Sequence, residues 1–215
     1  MKRVSVLAVA LLVVFPAISV ASPIQIGTRA ALGGNGFYDW GQLGAAFTVL
    51  SSPQSVISTN GLGATVTDAP QTMERRDQGA GGWSGDFANG DRLLWNRDLG
   101  VPITMTFASP ILGFAFQFQP DFFGAFTGSV QIFNGATLLA TFTVSGNSTN
   151  LGDNTAPVLG ALDSVAEITR IVITNTGDSA FAINRVDVRA VPEPATMTLV
   201  GLGLAGLVRR RLKAR

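Results

Sequence analysis

Three residue types are missing from the body of this chain: cysteine, histidine and lysine. The 215-residue sequence contains no cysteine and no histidine, and its lysines stand near the two ends, at Lys2 and Lys213. Without cysteine, no disulfide can stabilise the fold. Without histidine, the chain has no Ser-His-Asp or Cys-His nucleophile and no zinc site of the His/Cys type. A Schiff-base lysine is excluded from the body as well, so carboxylate chemistry, oxygen-ligated metals and surface recognition remain.

Charge is also scarce and unevenly placed, with charged residues making up 13% of the chain. Residues 22–191 hold eight basic and 13 acidic side chains, a formal net charge of −5, whereas the whole chain carries +1. The basic excess therefore belongs to the two ends. Because nucleic-acid binding requires a clustered basic face, we predict that nucleic acid is not a partner.

The first 21 residues have the pattern of a secretory signal peptide. Met1-Lys2-Arg3 gives a charged start, and residues 4–14 form an apolar run of 11 residues. Ser19 and Ala21 place small side chains at the cleavage position. We therefore predict that residues 1–21 direct general export and are removed, which leaves Ser22 as the first residue of the exported protein.

The last 25 residues, 191–215, contain three pieces in a fixed order. Val191-Pro192-Glu193-Pro194 comes first, and it is extended and accessible because proline fixes φ and lacks an N–H. Residues 195–208 then carry no charge, and a basic end follows. A bilayer crossing takes roughly 17–25 apolar residues, and arginines hold their end on the cytoplasmic side. The pattern predicts a single hydrophobic helix at the inner membrane.

This ordered triplet resembles the PEP-CTERM sorting signal of Gram-negative bacteria. The residues that carry the resemblance are Val191, Pro192, Glu193, Pro194, Ala195, Arg209, Arg210 and Arg211. The resemblance implies a precursor that an exosortase recognises at the inner membrane and that reaches the cell surface or extracellular matrix. It also implies association with exopolysaccharide and biofilm. It assigns no activity to residues 22–190, which we predict to be one exported domain.

The body has the pattern of an all-β domain, with short β-branched or aromatic runs separated by turn residues. The predicted strands are residues 45–50, 55–59, 64–67, 101–107, 111–118, 129–133, 137–144, 168–174 and 181–188. We predict a two-sheet antiparallel sandwich of jelly-roll type. Between the two targeting ends no segment has helical periodicity, although residues 163–167 are compatible with a turn.

Three local features sharpen this prediction. Leu112, Phe114, Phe116 and Phe118 alternate with smaller or polar residues, a period typical of one core-facing side of a strand. Asn134-Gly135 favours the positive φ values of a tight hairpin. The apolar residues of 181–188 change phase, which predicts a bulge near Asn184-Arg185 that keeps them on one side.

A calcium site is one candidate in the polar segment 147–154. Asp153 is its only carboxylate, and Asp178 and Asn184 are the other possible oxygen donors. Calcium takes 6–8 oxygen ligands, so this set is poor in carboxylates. A polar turn stabilised by Asn and Asp side chains is the favoured interpretation, and we expect no cofactor.

Residues 68–98 concentrate charge around Trp83 and Trp95, and three interpretations remain open. The first is a long solvated loop that the two tryptophans attach to the core. The second is a carbohydrate-binding surface formed by the indole rings. The third is a glycan hydrolase, which needs two carboxylates at a defined separation and for which Glu74, Asp86 and Asp91 are the candidates. The leading hypothesis is an exported, surface-associated protein without catalytic activity.

Overall fold

The computed structural model describes residues 22–68, 72–80, 82–97, 100–177 and 179–191. The predicted signal peptide, the sorting segment after Val191 and Asp178 lie outside the described residues. Within the described part, no helix has the length and apolar character needed to cross a membrane.

Strands account for nearly all the regular structure, which confirms the all-β prediction. In chain order they are β1 (Ile24–Ile26), β2 (Gly36–Tyr38), β3 (Val49–Leu50), β4 (Gln54–Ile57), β5 (Gly63–Thr67), β6 (Met73–Gln78), β7 (Gly82–Trp83), β8 (Arg92–Trp95), β9 (Ile103–Pro120), β10 (Gly124–Asn134), β11 (Thr137–Ser148), β12 (Val158–Leu162), β13 (Ile168–Asn175), β14 (Phe181–Ile183) and β15 (Val186–Ala190).

Two short helices were not predicted: a one-turn helix α1 (Arg29–Leu32) and a 3-10 turn (Trp40–Leu43). The Thr28 hydroxyl accepts a hydrogen bond from Ala31 N at the start of α1, and Gly33 ends it with a φ of 58°. Single turns of this length are stabilised by their caps and by packing, so they leave no helical period in the sequence.

All strands belong to one continuously hydrogen-bonded sheet, and β9 joins two groups of strands within it, here called the first and the second sheet. Its first part pairs with β13 and β5, its second part with β12 and β15, and its last three residues with β14. Ala108, Ser109 and Pro110 lie exposed where the pairing changes. The two runs predicted at 101–107 and 111–118 are therefore one continuous strand.

The first sheet has the order β11-β10-β13-β9-β5-β4. In the second, β12 and then β1 lie on one side of β9, and β14 and β15 lie on the other. Next to β15 comes β2, and next to β14 come β8, β6 and β3. Within the described residues, every strand pair is antiparallel except β6 with β7, which is parallel.

The main core takes side chains from both sheets. It includes Met105, Phe114, Phe116, Phe118, Val130, Ile132, Ile171, Ile173, Val186 and Val188. Three of the four residues in the predicted stripe are thus confirmed as core, whereas Leu112 is half-buried. The opposite side of β9 is buried too. Ala115 packs with Ile26 and Leu32 in a smaller cluster.

The predicted bulge is confirmed, because the three residues 184–186 oppose only two residues of β9 between the pairs Ile183–Phe118 and Asp187–Ala115. The four side chains that change phase, Phe181, Ile183, Val186 and Val188, all lie in the main core. The predicted hairpin is confirmed with a shift of one residue. Asn134 pairs with Thr137, so the turn is Gly135-Ala136. Gly135 has a φ of 57°, which fits the hairpin turns that have glycine at the first central position.

The interpretation of residues 68–98 as a long loop is wrong, since β6, β7 and β8 lie within it. Strand β6 reads Met-Glu-Arg-Arg-Asp-Gln, a sequence without apolar alternation. Its charged side chains form ion pairs with one another, for example Arg75 Nη2 with Asp77 Oδ1 at 2.5 Å. Because paired charges take the place of apolar side chains in this strand, the sequence has no apolar alternation by which to recognise it. Two early strands are also shorter than predicted, at Val49–Leu50 and Gln54–Ile57.

Candidate functional site: a tryptophan-lined cleft

The predicted residues Trp83 and Trp95 meet at the carboxyl end of β9. Trp83 ends β7 and Trp95 ends β8, and β6 pairs with both strands. The cleft that they line, here called the tryptophan cleft, has a volume of about 240 Å³. Its lining consists of Arg76, Gly82, Trp83, Ser84, Trp95, Asp121 and Phe123.

Aromatic surface dominates the walls of the tryptophan cleft. The two indole rings lie 6.3 Å apart in an edge-to-face arrangement. Trp83 is buried at 6% exposure and Trp95 is half-buried, whereas Phe123 is 61% exposed. Phe47 is also exposed and lies beside Gly82. The cleft thus has an indole floor that packing holds in place and a rim of exposed phenylalanine.

A guanidinium group lies between two of these rings. The Arg76 guanidinium is 4.6 Å from the centre of the Phe47 ring and 5.0 Å from that of Trp95. Arg76 Nε also lies 2.6 Å from Glu74 Oε1. Cation–π contact and an ion pair on one side chain hold Arg76 in place and balance its charge. The cleft is therefore preorganised rather than strongly positive.

Asp121 supplies the carboxylate of the cleft, directly after the end of β9. Its backbone N–H donates to Ala180 O at 3.0 Å. Partial burial raises the pKa of Asp121 above its ordinary value, and the contacts with the Trp95 indole and with its own backbone oppose this shift. Its neutral form is therefore favoured more than in an open chain.

A second depression adjoins the tryptophan cleft and shares three wall residues with it. It has a volume of about 400 Å³, and Gly82, Trp83 and Ser84 line both spaces. We call it the amide depression. Its other lining residues are Gln78, Gly79, Asn89, Asn150, Leu151 and Gly152.

A buried carboxylate holds the loops beneath this depression. Asp86 is 3% exposed, and its carboxylate accepts hydrogen bonds from the Thr149 N–H at 2.6 Å and the Leu151 N–H at 3.3 Å. The Thr149 hydroxyl and the Gln119 amide donate to it as well. Asp86 therefore ties the segment after β7 to the segment after β11.

The three hydrolase candidates lie on different elements, and each has its own partners. Glu74, on β6, is 4% exposed and pairs with Arg76 and Arg97. Asp86 is held as described, and Asp91 Oδ2 accepts from Asn184 Nδ2 at 2.9 Å. These contacts explain all three carboxylates as parts of the scaffold.

The two calcium candidates that the structure describes also have other partners. Asp153 Oδ1 accepts from the Thr155 N–H at 3.1 Å and from its hydroxyl at 2.6 Å, an Asx turn. Asn184 is buried, and its Oδ1 accepts from Gln117 N at 2.9 Å. Among the described residues, no group of three or more carboxylates forms a metal site.

The segment that leads to the tail lies near the middle of β9, where Ala190 pairs with Ile111, and we call this region the tail end. Val191 and Ala190 line a depression of about 670 Å³ with Pro110, Gly61 and Asn60. Ser22 lies beside Leu112 and Arg189. An extended strand rises about 3.3 Å per residue, so the half of β9 from Pro110 to Pro120 separates this tail end from the tryptophan cleft by roughly 30 Å.

Comparison with known families gives one match. The model of the PEP-CTERM protein-sorting motif matches residues 190–212. The motif indicates export and exosortase-dependent sorting to the cell surface. No curated protein matches the chain.

Three solved structures are similar to the body at low identity. CsCBM6-3 from Clostridium stercorarium, in complex with cellobiose, has 14% identity, covers 68% of this chain and 96% of its own, and gives a TM-score of 0.34. A family 6 carbohydrate-binding module has 13% identity, the same coverages and a TM-score of 0.34. The C-terminal CBM6 of LamC from Zobellia galactanivorans has 9% identity, coverages of 78% and 98%, and a TM-score of 0.24. At these TM-scores the similarity assigns neither a fold nor a ligand to this chain.

Proposed function

We propose that this chain is an exported surface protein without catalytic activity, which contacts extracellular polysaccharide through the tryptophan cleft. An exosortase sorts it at its C-terminal signal, and the exported body becomes part of an exopolysaccharide matrix or biofilm. The observation that carries the carbohydrate assignment is the pair Trp83 and Trp95, which lie 6.3 Å apart in one cleft.

The chemistry of the cleft fits a sugar. A pyranose ring offers an apolar C–H face for an aromatic wall and hydroxyls that both donate and accept hydrogen bonds. Ligand sites typically combine apolar and aromatic walls with a few polar groups that set orientation. Here Trp95 and Phe123 offer the aromatic surface, and Ser84 and Asp121 offer the polar groups.

Mass spectrometry of the two ends of the protein, isolated from its native cells, tests the sorting part. A first residue at Ser22 and a last residue within 191–195 are expected. An intact Arg215 on the mature protein would instead mean that the tail is a permanent anchor, and the exosortase step would be rejected.

Titration with the exopolysaccharide of the native cells, followed by tryptophan fluorescence, tests the binding part. Trp40 is fully buried and its indole donates to Asn184 O at 2.9 Å, so a change in emission reports on Trp83 and Trp95. Trp95→Ala is expected to weaken binding about tenfold or more, the equivalent of about 1.4 kcal/mol.

Phe133→Ala is the matched control for Trp95→Ala. Phe133 lies on β10, far from the cleft in the strand order. It is half-buried, and the Arg170 guanidinium lies 4.0 Å from the centre of its ring. The affinity of Phe133→Ala for the polymer is expected to equal that of the unchanged protein. Equal losses in both variants, or no spectral change at saturating polymer, would reject the carbohydrate assignment.

A further inference from the structure

We propose that the tryptophan cleft and the amide depression act as one groove for a neutral polysaccharide chain, with at least two adjacent sugar residues bound at once. This inference rests on the proposed function and names the class of glycan and the extent of its site. The observation behind it is the continuous wall Gly82-Trp83-Ser84, which lines both spaces.

The volumes favour a site for more than one sugar. Pockets for small molecules normally enclose about 300–1,000 Å³. The tryptophan cleft alone, at about 240 Å³, is below that range. Together with the amide depression, at about 400 Å³, the groove lies within it. A polysaccharide that stacks one sugar on the indoles would therefore place its next sugar in the amide depression.

The lining of the amide depression is polar and carries no charge. Gln78, Asn89 and Asn150 contribute side-chain amides, and Ser84 contributes a hydroxyl. Gln78 is 5% exposed, and its Oε1 is a buried acceptor without a hydrogen bond in the described part of the chain. Amides and hydroxyls match sugar hydroxyls in both directions, because each offers donors and acceptors.

The charge distribution disfavours an acidic polysaccharide. Arg76 is the one cation among the described residues that line the groove, and Glu74 pairs with it. Asp121 adds a carboxylate to the same cleft. Residues 22–191 carry a net charge of −5 as well. A uronate chain would meet the Asp121 carboxylate in the cleft and net negative charge at long range. The two nearby cations, Arg76 and Arg97, both pair with Glu74.

The test uses fragments of the native exopolysaccharide, produced by partial hydrolysis and separated by length and by charge. The full exported protein is titrated with each fraction. Affinity for neutral fragments is expected to rise at least about tenfold between one and four residues, whereas acidic fragments of equal length bind more weakly.

Two variants separate the two halves of the groove. Trp95→Ala is expected to lose affinity for all neutral fragments. Asn150→Ala is expected to remove only the increase of affinity with fragment length. The Asn150 side chain is exposed and makes no hydrogen bond within the described structure, so its removal should not disturb the fold. Asn147→Ala is the control, since Asn147 is a nearby exposed asparagine on β11 outside the groove.

The outcomes distinguish this inference from the proposed function. If single sugars bind as tightly as longer fragments, or if Asn150→Ala behaves like Asn147→Ala, the extended groove is rejected and carbohydrate binding stands. Tighter binding of acidic fragments rejects the neutral chain. If neither the fragments nor the intact polymer bind, the proposed function itself fails.

Discussion

The middle and the carboxyl end of β9 differ in what they present to their surroundings. The cleft end gathers indole rings, exposed phenylalanines, a paired arginine and a carboxylate around one cleft. Around its depression of about 670 Å³ the tail end presents small and neutral residues, with asparagine, glycine, serine and proline. Aromatic side chains are thus concentrated at the carboxyl end of β9, away from the exit of the tail.

Val191, the last described residue, leaves the sandwich beside Pro110. A body attached through that region would hold the tryptophan cleft roughly 30 Å from the point of attachment. Because of this separation, changes in one region are expected to leave the other intact.

The largest expected difference between the ends comes from two buried aspartates. Asp86, at the cleft end, accepts four hydrogen bonds, whereas Asp163, at the tail end, accepts one from Val165 N at 3.1 Å. Because buried donors without an acceptor are costly, Asp86→Ala should lower the free energy of unfolding by about 4 kcal/mol and Asp163→Ala by about 1 kcal/mol. Chemical denaturation of both variants measures the two losses.

Equal losses in Asp86→Ala and Asp163→Ala would mean that the loops beneath the amide depression do not depend on the Asp86 carboxylate. Asp86 would then be free for another role, and the hydrolase interpretation would regain a candidate.

Two glycines give a smaller and more local contrast. A Cβ at Gly85 would lie 2.4 Å from both Gln119 Oε1 and Trp83 Nε1, whereas a Cβ at Gly63 would meet only Ala108 Cβ at 3.6 Å. Gly85→Ala should therefore destabilise the fold by about 1–3 kcal/mol through overpacking. Gly63→Ala should instead stabilise it by about 0.5 kcal/mol, because the unfolded chain loses freedom.

Thermal unfolding and tryptophan emission together check the glycine pair. Gly85→Ala should change the emission, since the clash involves the Trp83 indole, and Gly63→Ala should not. An unchanged spectrum in Gly85→Ala would show that the floor of the cleft can relax around a methyl group.

Much of the fold followed from sequence pattern, and the part that did not is physically distinct. The aromatic alternation of β9 and the phase change at Asn184-Arg185 mark strands with one apolar side, and the structure confirms both. Strand β6 was missed because its two sides are filled by ion-paired charges rather than by apolar residues. Long-range pairing decides such a strand, and local composition does not reveal it.

Of the residues that line the tryptophan cleft, the sequence predicted only Trp83 and Trp95 as site residues. Trp83 and Trp95 were singled out because they stood in a charged segment, but Arg76, Asp121 and Phe123 were not connected with them. Asp121 and Phe123 follow the end of β9 and join the cleft only through the pairing of β9 with β14 and of β14 with β8. The local signal in the sequence was the aromatic pair Phe122-Phe123 shortly after a strong strand, and the structure shows both rings exposed.

The smallest expected effect concerns the titration of Asp121 at the cleft end. Partial burial raises the pKa of its carboxyl in the folded protein above the ordinary 3.8 of an open chain. Between the unfolded-state pKa and the folded-state pKa, the folded protein therefore holds the proton more than the unfolded chain does. Unfolding free energy then falls as pH rises through that window.

A side-chain amide mimics the protonated acid, so Asp121→Asn should gain stability relative to the unchanged protein as the pH rises from about 3 to about 7. Urea denaturation at several pH values measures this difference. A difference that stays constant or shrinks with rising pH would mean that the Trp95 contact outweighs burial and that the cleft favours the charged carboxylate.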